Sequence, residues 1–434
     1  MAGLCAQLSL LGRRDYGLLW WGGMVSRVGD AFTLVAVSWL LAERDAGGQL
    51  GVVLVAYEVA AIVGGLVLSG LMDAFSRRWL MIGDSVARAL AVGSIPLVGL
   101  FHAPGLETLV PAMAVLGFFS PTADVGMRAL TVDLLAPDEL AAGNSLEQLQ
   151  WTLSWLAGPA LAGLLIDATG ALTALWVDAA SFALFAVCLA LMSRRADVLH
   201  RAGGGGFRRD IAEGLAYVGR QPHMRVVVQL VAGARVSEGM WMLALPFLVH
   251  DAGGGAGAFG ALVAAMGVGS VVGSLLSGSL RMRWSLTIGL STMFLAEAAL
   301  LATIALTPPL PVIGVILAVM GVVFAPANVW LLTLRQRVAP PELLGRVLSV
   351  TMMLNRAGQP AGTALGGATI GVLGPAGLFA AGAGLLAADS GLSLAWRSWR
   401  RLPLTADGRW TGPPPAQPEL PGHARPAPEP ATAS

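Results

Sequence analysis

Arg27-Val28-Gly29-Asp30 and Arg235-Val236-Ser237-Glu238 are one phrase written twice, an arginine and an acid three positions apart, each set inside a long apolar run. Other matches follow in the same order. Asp45-Ala46-Gly47-Gly48 recurs as Asp251-Ala252-Gly253-Gly254, and Gly51 with Val63-Gly64 recurs as Gly260 with Val272-Gly273. Ala136-Pro137-Asp138-Glu139-Leu140 recurs as Ala339-Pro340-Pro341-Glu342-Leu343. Each second copy lies about 200 residues beyond the first, and a kept order at near-constant spacing marks an internal repeat.

The runs around the repeated phrases set the solvent. Of 434 residues 56% are hydrophobic and 12% charged, with a mean hydropathy of +0.71. A soluble domain has about 25% charged residues, so this chain has too little polar surface to cover a globule in water. The composition implies an integral membrane protein. A bilayer core about 30 Å thick needs roughly 20 helical residues per crossing. Apolar runs of that length fall near 17–41, 50–72, 79–100, 106–127, 143–166 and 171–192, then near 225–249, 258–280, 285–306, 310–333, 346–370 and 375–396. The expected fold is all-α, with 12 transmembrane helices in two six-helix bundles. These are an N-terminal bundle (1–192) and a C-terminal bundle (225–401), joined by a linker (193–224) and followed by a Pro-rich, disordered tail (402–434). In the linker Ile211, Leu215 and Val218 recur at helical spacing among Arg208, Arg209, Asp210 and Glu213, which predicts an amphipathic helix on the membrane surface.

Charge placement orients the spans. Outside them, every arginine but Arg44 falls on the side of the N-terminus, and arginine-rich loops stay cytoplasmic. Both termini and the linker are therefore expected in the cytoplasm, in a multi-pass protein of the inner (cytoplasmic) membrane. Arg13 and Arg14 lead into a first span that reads as retained.

The same composition excludes several chemistries. All 27 basic residues are arginine, and the net charge is +1. No basic field exists to bind nucleic acid, and no lysine exists for Schiff-base, Walker or pyridoxal-phosphate chemistry. Cys5 and Cys188 cannot build a disulfide framework, and the five histidines lie in loops or tails. No G-x-S-x-G elbow occurs. Neither an enzyme nor a cofactor or metal site is expected. Two bundles with matching sidedness form a parallel repeat, which places a substrate site near the midplane between them and suits alternating access. The expected partners are a small-molecule substrate, protons and the lipid bilayer, for a chain acting as a monomer.

Several motifs resemble the major facilitator superfamily, in the drug-efflux branch that includes macrolide efflux proteins and the enterobactin exporter. The likeness runs from about residue 13 to 396 and begins with Tyr16-Gly17-Leu18-Leu19-Trp20. Between spans 2 and 3 the superfamily's G-x-x-x-D-R-x-G-R-R falls on Ser69 to Arg78. Asp73, Arg77 and Arg78 match, whereas Ser69, Ala74 and Ser76 replace Gly, Arg and Gly. The resemblance implies a cytoplasmic gate clamped by Asp73 and an arginine, with Asp124 of span 4 as the membrane-edge acid joining them. Gly158-Pro159-Ala160-Leu161-Ala162-Gly163 in span 5 is similar to the antiporter signature ending G-P-x-x-G-G; tight packing between the halves is its structural alternative.

Ionisable residues at membrane depth cost several kcal/mol and are functional candidates. Asp30 and Glu238 are proton-coupling candidates, with Arg27 and Arg235 as charge partners on the same helix face; the alternative is an ion pair locking structure. Glu58 in span 2 has no local partner and is a third proton carrier. Glu147 and Arg356, on spans that face the cavity in the superfamily, and Met240 and Trp241, which follow Glu238, are substrate-cavity candidates. Asp84 and Arg88 are expected to brace one another, and Asp178, Glu297 and Asp389 to be structural. The combined expectation is a proton-coupled exporter of small amphipathic compounds. An uptake symporter or a lysophospholipid flippase of the same fold is the alternative.

Overall fold

With no water in the hydrocarbon, a long apolar run satisfies its peptide groups only by bonding within itself, which selects helices. The structure, a computed structural model, describes residues 7, 9–74, 76–193, 207–277, 286–338 and 344–396. Among them no strand occurs. The tail expected after 402 and linker residues 194–206 lie outside the described residues. The helices are α1 (Arg14–Ala42), α2 (Gly47–Ala74), α3 (Arg77–Gly99), α4 (Leu106–Leu134), α5 (Leu140–Thr169), α6 (Ala171–Leu191), α7 (Phe207–Arg220), α8 (Pro222–Asp251), α9 (Ala256–Ser277), α10 (Leu286–Ile304), α11 (Leu310–Val338) and α12 (Leu344–Ala395).

All but the short α7 are long and apolar enough to span a bilayer. The apolar part of α12 covers 46 residues, roughly 70 Å at 1.5 Å per residue, which is twice a bilayer core. It is folded in two at Gly374, whose φ of 67° and ψ of 174° are not helical, and Pro375 opens the returning limb as proline commonly opens a helix. Twelve crossings result. Their charge distribution is inverted relative to a water-soluble protein. Leu90, Leu164 and Val315 are exposed, while Asp84, Arg88 and Asp178 are buried. Helices overrun the hydropathic spans at their ends, most of all α4, which reaches Leu134 rather than stopping near 127.

In the first bundle α2 packs on α4, α3 on α6, and α1 on both α5 and α6; in the second α9 packs on α11, and α12 on α8 and α10. Two seams join the bundles, α5 against α9 and α2 against α12. The repeat superimposes α5 on the first limb of α12 and α2 on α9, so the seams are one contact made twice about a pseudo-twofold axis. Both close at the helix ends opposite the N-terminus, here called the distal side. A Cβ on Gly51 would stand 2.6 Å from the Gly367 Cα, and one on Gly163 2.9 Å from the Gly257 Cα. Only glycine lets backbones approach so closely. Asp167 of α5 accepts the Gly257 N–H at 2.9 Å, capping the first turn of α9 from the other bundle. Trp39 meets His250 edge-on and stacks on Phe259, with ring centroids 5.8 and 6.5 Å apart, so aromatic rings fill the space between the distal ends.

Helix α7 rests on α12 and α8, burying Tyr217 and Val218; burial pushes the Tyr217 phenol up to about 12. Leu215 of the expected stripe is exposed, and Ile211's side chain is outside the described residues. The helix therefore docks on the bundle through a face rotated from the expected one.

Gly51→Val is expected to force the distal seam apart, because the added side chain meets backbone that cannot yield. Maleimide labelling of a His250→Cys variant, with Cys5 and Cys188 replaced by Ser, should speed up several-fold in that background. Gly83→Val, where a Cβ meets nothing within 4 Å, should leave the labelling rate unchanged.

Candidate functional site

The ionisable side chains form three groups. The first lines the terminal side of the N-terminal bundle. Asp73 falls on the last turn of α2, and its side chain is outside the described residues. Arg77 donates to both carboxylate oxygens of Asp133 at 3.0 Å. Arg78 turns inward and caps the end of α6, donating to the Leu189 and Ala190 carbonyls at 2.7 Å each. The last turn of a helix leaves those carbonyls unpaired and slightly negative, which suits a guanidinium. Arg128 pairs with Glu147 at 3.2 Å, and Arg13 donates to Glu139 at 2.8 Å. The structure pairs the expected gate acid Asp124 with Arg27 at 3.1 Å, and it places an acid not singled out in the sequence, Asp133, beside Arg77. Ending span 4 near 127 had placed Asp133 in a loop.

The second group lies at membrane depth in the first bundle. Arg27 and Asp30 do not pair along their own helix. Arg88 of α3 reaches Asp30 of α1 in a very short contact, lies 3.8 Å from Asp84 one turn back, and covers the Phe182 ring at 4.2 Å. Asp178 of α6 accepts from the Thr33 hydroxyl at short range and from the Ser181 hydroxyl at 3.0 Å. A fully buried guanidinium has no water to satisfy it, so it takes the nearest carboxylate on another helix, and i, i+3 spacing loses to that demand. In the second bundle no such competitor occurs among the described residues; Arg235 and Glu238 do pair, at 2.6 Å, with buried Glu297 within electrostatic reach.

The third group lies on the seams. Glu58 of α2 accepts from the Thr363 hydroxyl of α12 at 3.2 Å, across the bundle boundary. Its other oxygen is buried without a hydrogen-bond partner. The 158–163 motif sits against both bundles. Gly158 admits Ala31 of α1, the Pro159 carbonyl approaches Gly260, and Gly163 meets the start of α9. Arg356 is exposed on α12. Met240 is buried, and Trp241 is withdrawn against Phe379, 6.3 Å between centroids, inside its own bundle. Trp241 therefore offers no face to a substrate, because its ring completes the packing of α8 on the returning limb of α12. Two apolar grooves, of 620 and 350 Å³, open between α2 and α4 and between α1 and α6, the second of them bordered by Gly29 and Ser181 beside Asp178.

The family model described as Major Facilitator Superfamily matches residues 19–363. The chain belongs to the Major Facilitator Superfamily. Among superfamily members, the multidrug efflux pump Tap of Mycobacterium tuberculosis is 30% identical over 366 residues, covering 81% of this chain and 85% of that one. The Tap pump of Mycolicibacterium fortuitum is 26% identical over 373 residues, covering 81% of this chain and 88% of its own. The superfamily fold is shared with the nucleoside transporter NupG, at TM-score 0.71 and 12% identity over 87% of this chain and 98% of that one. It is shared also with a bacterial homologue of the iron transporter ferroportin in its inward-facing state, at TM-score 0.66 and 16% identity over 89% and 99% of the two chains.

Asp133 and Arg77 are both largely shielded from solvent, so Asp133→Asn strands a guanidinium and should cost about 3 kcal/mol of stability. Asp124→Asn, at a half-exposed pair, should cost under about 1 kcal/mol; thermal unfolding in detergent measures both. Arg13's hydrogen bonds hold the Glu139 carboxyl below its ordinary value of 4.5. That pair therefore stabilises the fold above the ordinary value and loses its contribution as pH falls through the lowered one. Glu139→Gln should show a slightly shallower loss of thermal stability on acidification than wild type, a small effect because the pair is exposed.

Proposed function

We propose that this superfamily member is a proton-coupled efflux pump for small amphipathic compounds, working by alternating access in the cytoplasmic membrane with both termini in the cytoplasm. The carrying observation is Glu58, a carboxyl on one bundle held by a hydroxyl of the other, with its second oxygen buried and unpartnered. Rocking the bundles about the two seams changes what Glu58 touches, and a change of surroundings between two states is what links a proton to a conformational equilibrium. The distal closure at Gly51–Gly367 and Gly163–Gly257 supports reading the described conformation as one that opens toward the termini. The arginine bias assigns that side to the cytoplasm, so this is the substrate-loading state. Protons arriving from the distal side reach Asp30, Glu58 or Glu238, and their release toward the cytoplasm resets the cycle. The efflux direction is supported by the Tap relatives, whose names describe multidrug efflux pumps.

Everted membrane vesicles carrying the protein, given ethidium and an imposed proton gradient, test the proposal. Ethidium accumulation that a protonophore abolishes is expected. Glu58→Gln should cut that accumulation at least tenfold while ethidium exchange without a gradient persists. Wild-type accumulation in Glu58→Gln would return the residue to a packing role, and gradient-independent movement in wild type would overturn proton coupling.

A further inference from the structure

The group around Arg88 has more acid than base, and two of its carboxyls are too deep to be solvated. Asp84 and Asp178 are 1% and 0% exposed, and Arg88 is 3% exposed. The charged and titratable groups that face this centre are Arg27 and Asp30 of α1, Tyr57 of α2, Arg88 and Asp84 of α3, Asp124 of α4 and Asp178 of α6. Asp124 is matched by Arg27. That leaves one guanidinium against Asp30, Asp84 and Asp178. A buried, uncompensated carboxylate costs several kcal/mol, so a group this deep keeps a proton instead.

The geometry says which carboxyl is least compensated. Asp30 has Arg88 in close contact, and Asp178 has two hydroxyls. Asp84 presents Oδ1 without a hydrogen-bond partner, and the facing Nε of Arg88 is unpartnered too. The ligand that suits a buried carboxyl oxygen with no partner is a proton.

The site is built by the backbone. A Cβ at position 29 would collide with the Asp178 carboxyl and the Ser181 hydroxyl. In the second half the repeat places Ser237 where the first has Gly29. Its hydroxyl donates to the Gly382 carbonyl at 3.0 Å, and a Cβ on Gly382 would stand 3.0 Å from that hydroxyl. The two halves thus make one helix contact with opposite choices. The second keeps a side chain on α8 and glycine on α12; the first gives up the side chain on α1 and admits a carboxyl from α6.

We propose that Asp30, Asp84 and Asp178 form one proton-storing site around Arg88, with Asp84 the protonated member in this conformation and Asp30 the member that exchanges protons with the space between the bundles. Asp30 is suited to that exchange because it keeps 32% side-chain exposure. A proton reaching Asp30 frees Arg88 to turn toward Asp84, which releases its own proton outward; one proton enters as one leaves, so the number held is conserved. This inference rests on the proton-coupled reading above and adds Asp84, Asp178 and Arg88 to it.

Infrared spectroscopy of the full chain in lipid bilayers, with ethidium transport beside it, tests the assignment. At neutral pH the wild type should show the C=O stretch of protonated buried carboxyl groups, and Asp84→Asn should remove one component of it. Asp84→Asn should also leave the Tm nearly unchanged, since an amide replaces a neutral acid of the same shape. A spectrum without a protonated carboxyl in wild type, an unaltered band in Asp84→Asn, or a sharp fall in its Tm as for loss of an ionised partner of Arg88, would each overturn the proposal. In vesicles the Asp84→Asn/Asp178→Asn double variant should lose at least tenfold of gradient-driven ethidium accumulation and retain exchange. If wild type is gradient-driven and the double variant equals it, the storage site fails while proton coupling stands. If wild type is not gradient-driven, proton coupling fails, and the storage site is then decided by the infrared bands alone.

Discussion

The close approach of Gly51 to Gly367, and of Gly163 to Gly257, is the contact on which the two-bundle arrangement turns. Apolar side chains gain nothing by leaving lipid for one another, because hydrocarbon surrounds them either way. What lipid cannot supply is backbone packed on backbone at near-contact distance, and small residues on both faces are the means to it. The repeat places this contact once on each flank, so the bundles are held at two points about an axis. Two such points leave one easy motion, a rocking that closes one end as the other opens.

Charge is distributed to suit that motion. The ion pairs Arg13–Glu139, Arg27–Asp124, Arg77–Asp133, Arg88–Asp30 and Arg128–Glu147 each join helices of the first bundle, and Arg235–Glu238 lies within the second. Rocking the bundles breaks none of them. A pair broken in a low-dielectric interior costs several kcal/mol, which would trap the molecule in one conformation. Across the seams, among the described residues, stand instead single hydrogen bonds, such as those of Glu58 with Thr363 and Asp167 with the Gly257 N–H. Each is worth about 0.5–1.5 kcal/mol net, small enough for both conformations to be populated.

Much of this was legible in the sequence because the bilayer imposes a strict length and because the repeat was written in near-identical phrases. The twelve crossings followed from apolar run length, and the break at Gly374 fell where hydropathy had placed the end of one span and the start of the next. The pairing of charges was much less legible. Arg27 and Asp30 share a helix face, yet each takes a partner from another helix, since helical spacing says who can meet and not who else competes. Asp133 was missed because the helix outlasts its apolar stretch, so an acid in its last turn read as loop. Asp178, expected to be structural, accepts from Thr33 and Ser181, and the sign of that contact in the sequence is the Gly29 facing it, where the second copy of the repeat has Ser237.

That difference between copies carries a further consequence. Two halves that began as one sequence now place different charges, Asp30, Asp84, Asp124 and Asp178 with Arg27 and Arg88 in the first, and Glu238, Glu297 and Asp389 with Arg235 in the second. Glu297 stands on α10 where the repeat places Arg88 on α3, so a cation in one half has become an acid in the other. Shape was kept and charge was not. The kept features are the glycines at the seams, which any rocking pair requires twice. The charges are under no such demand, because the backbone-to-backbone contacts at the seams do not involve them. In the first bundle a buried guanidinium, Arg88, stands between Asp30 of a neighbouring helix and Asp84 of its own, whereas Arg235 in the second pairs with Glu238 along one helix.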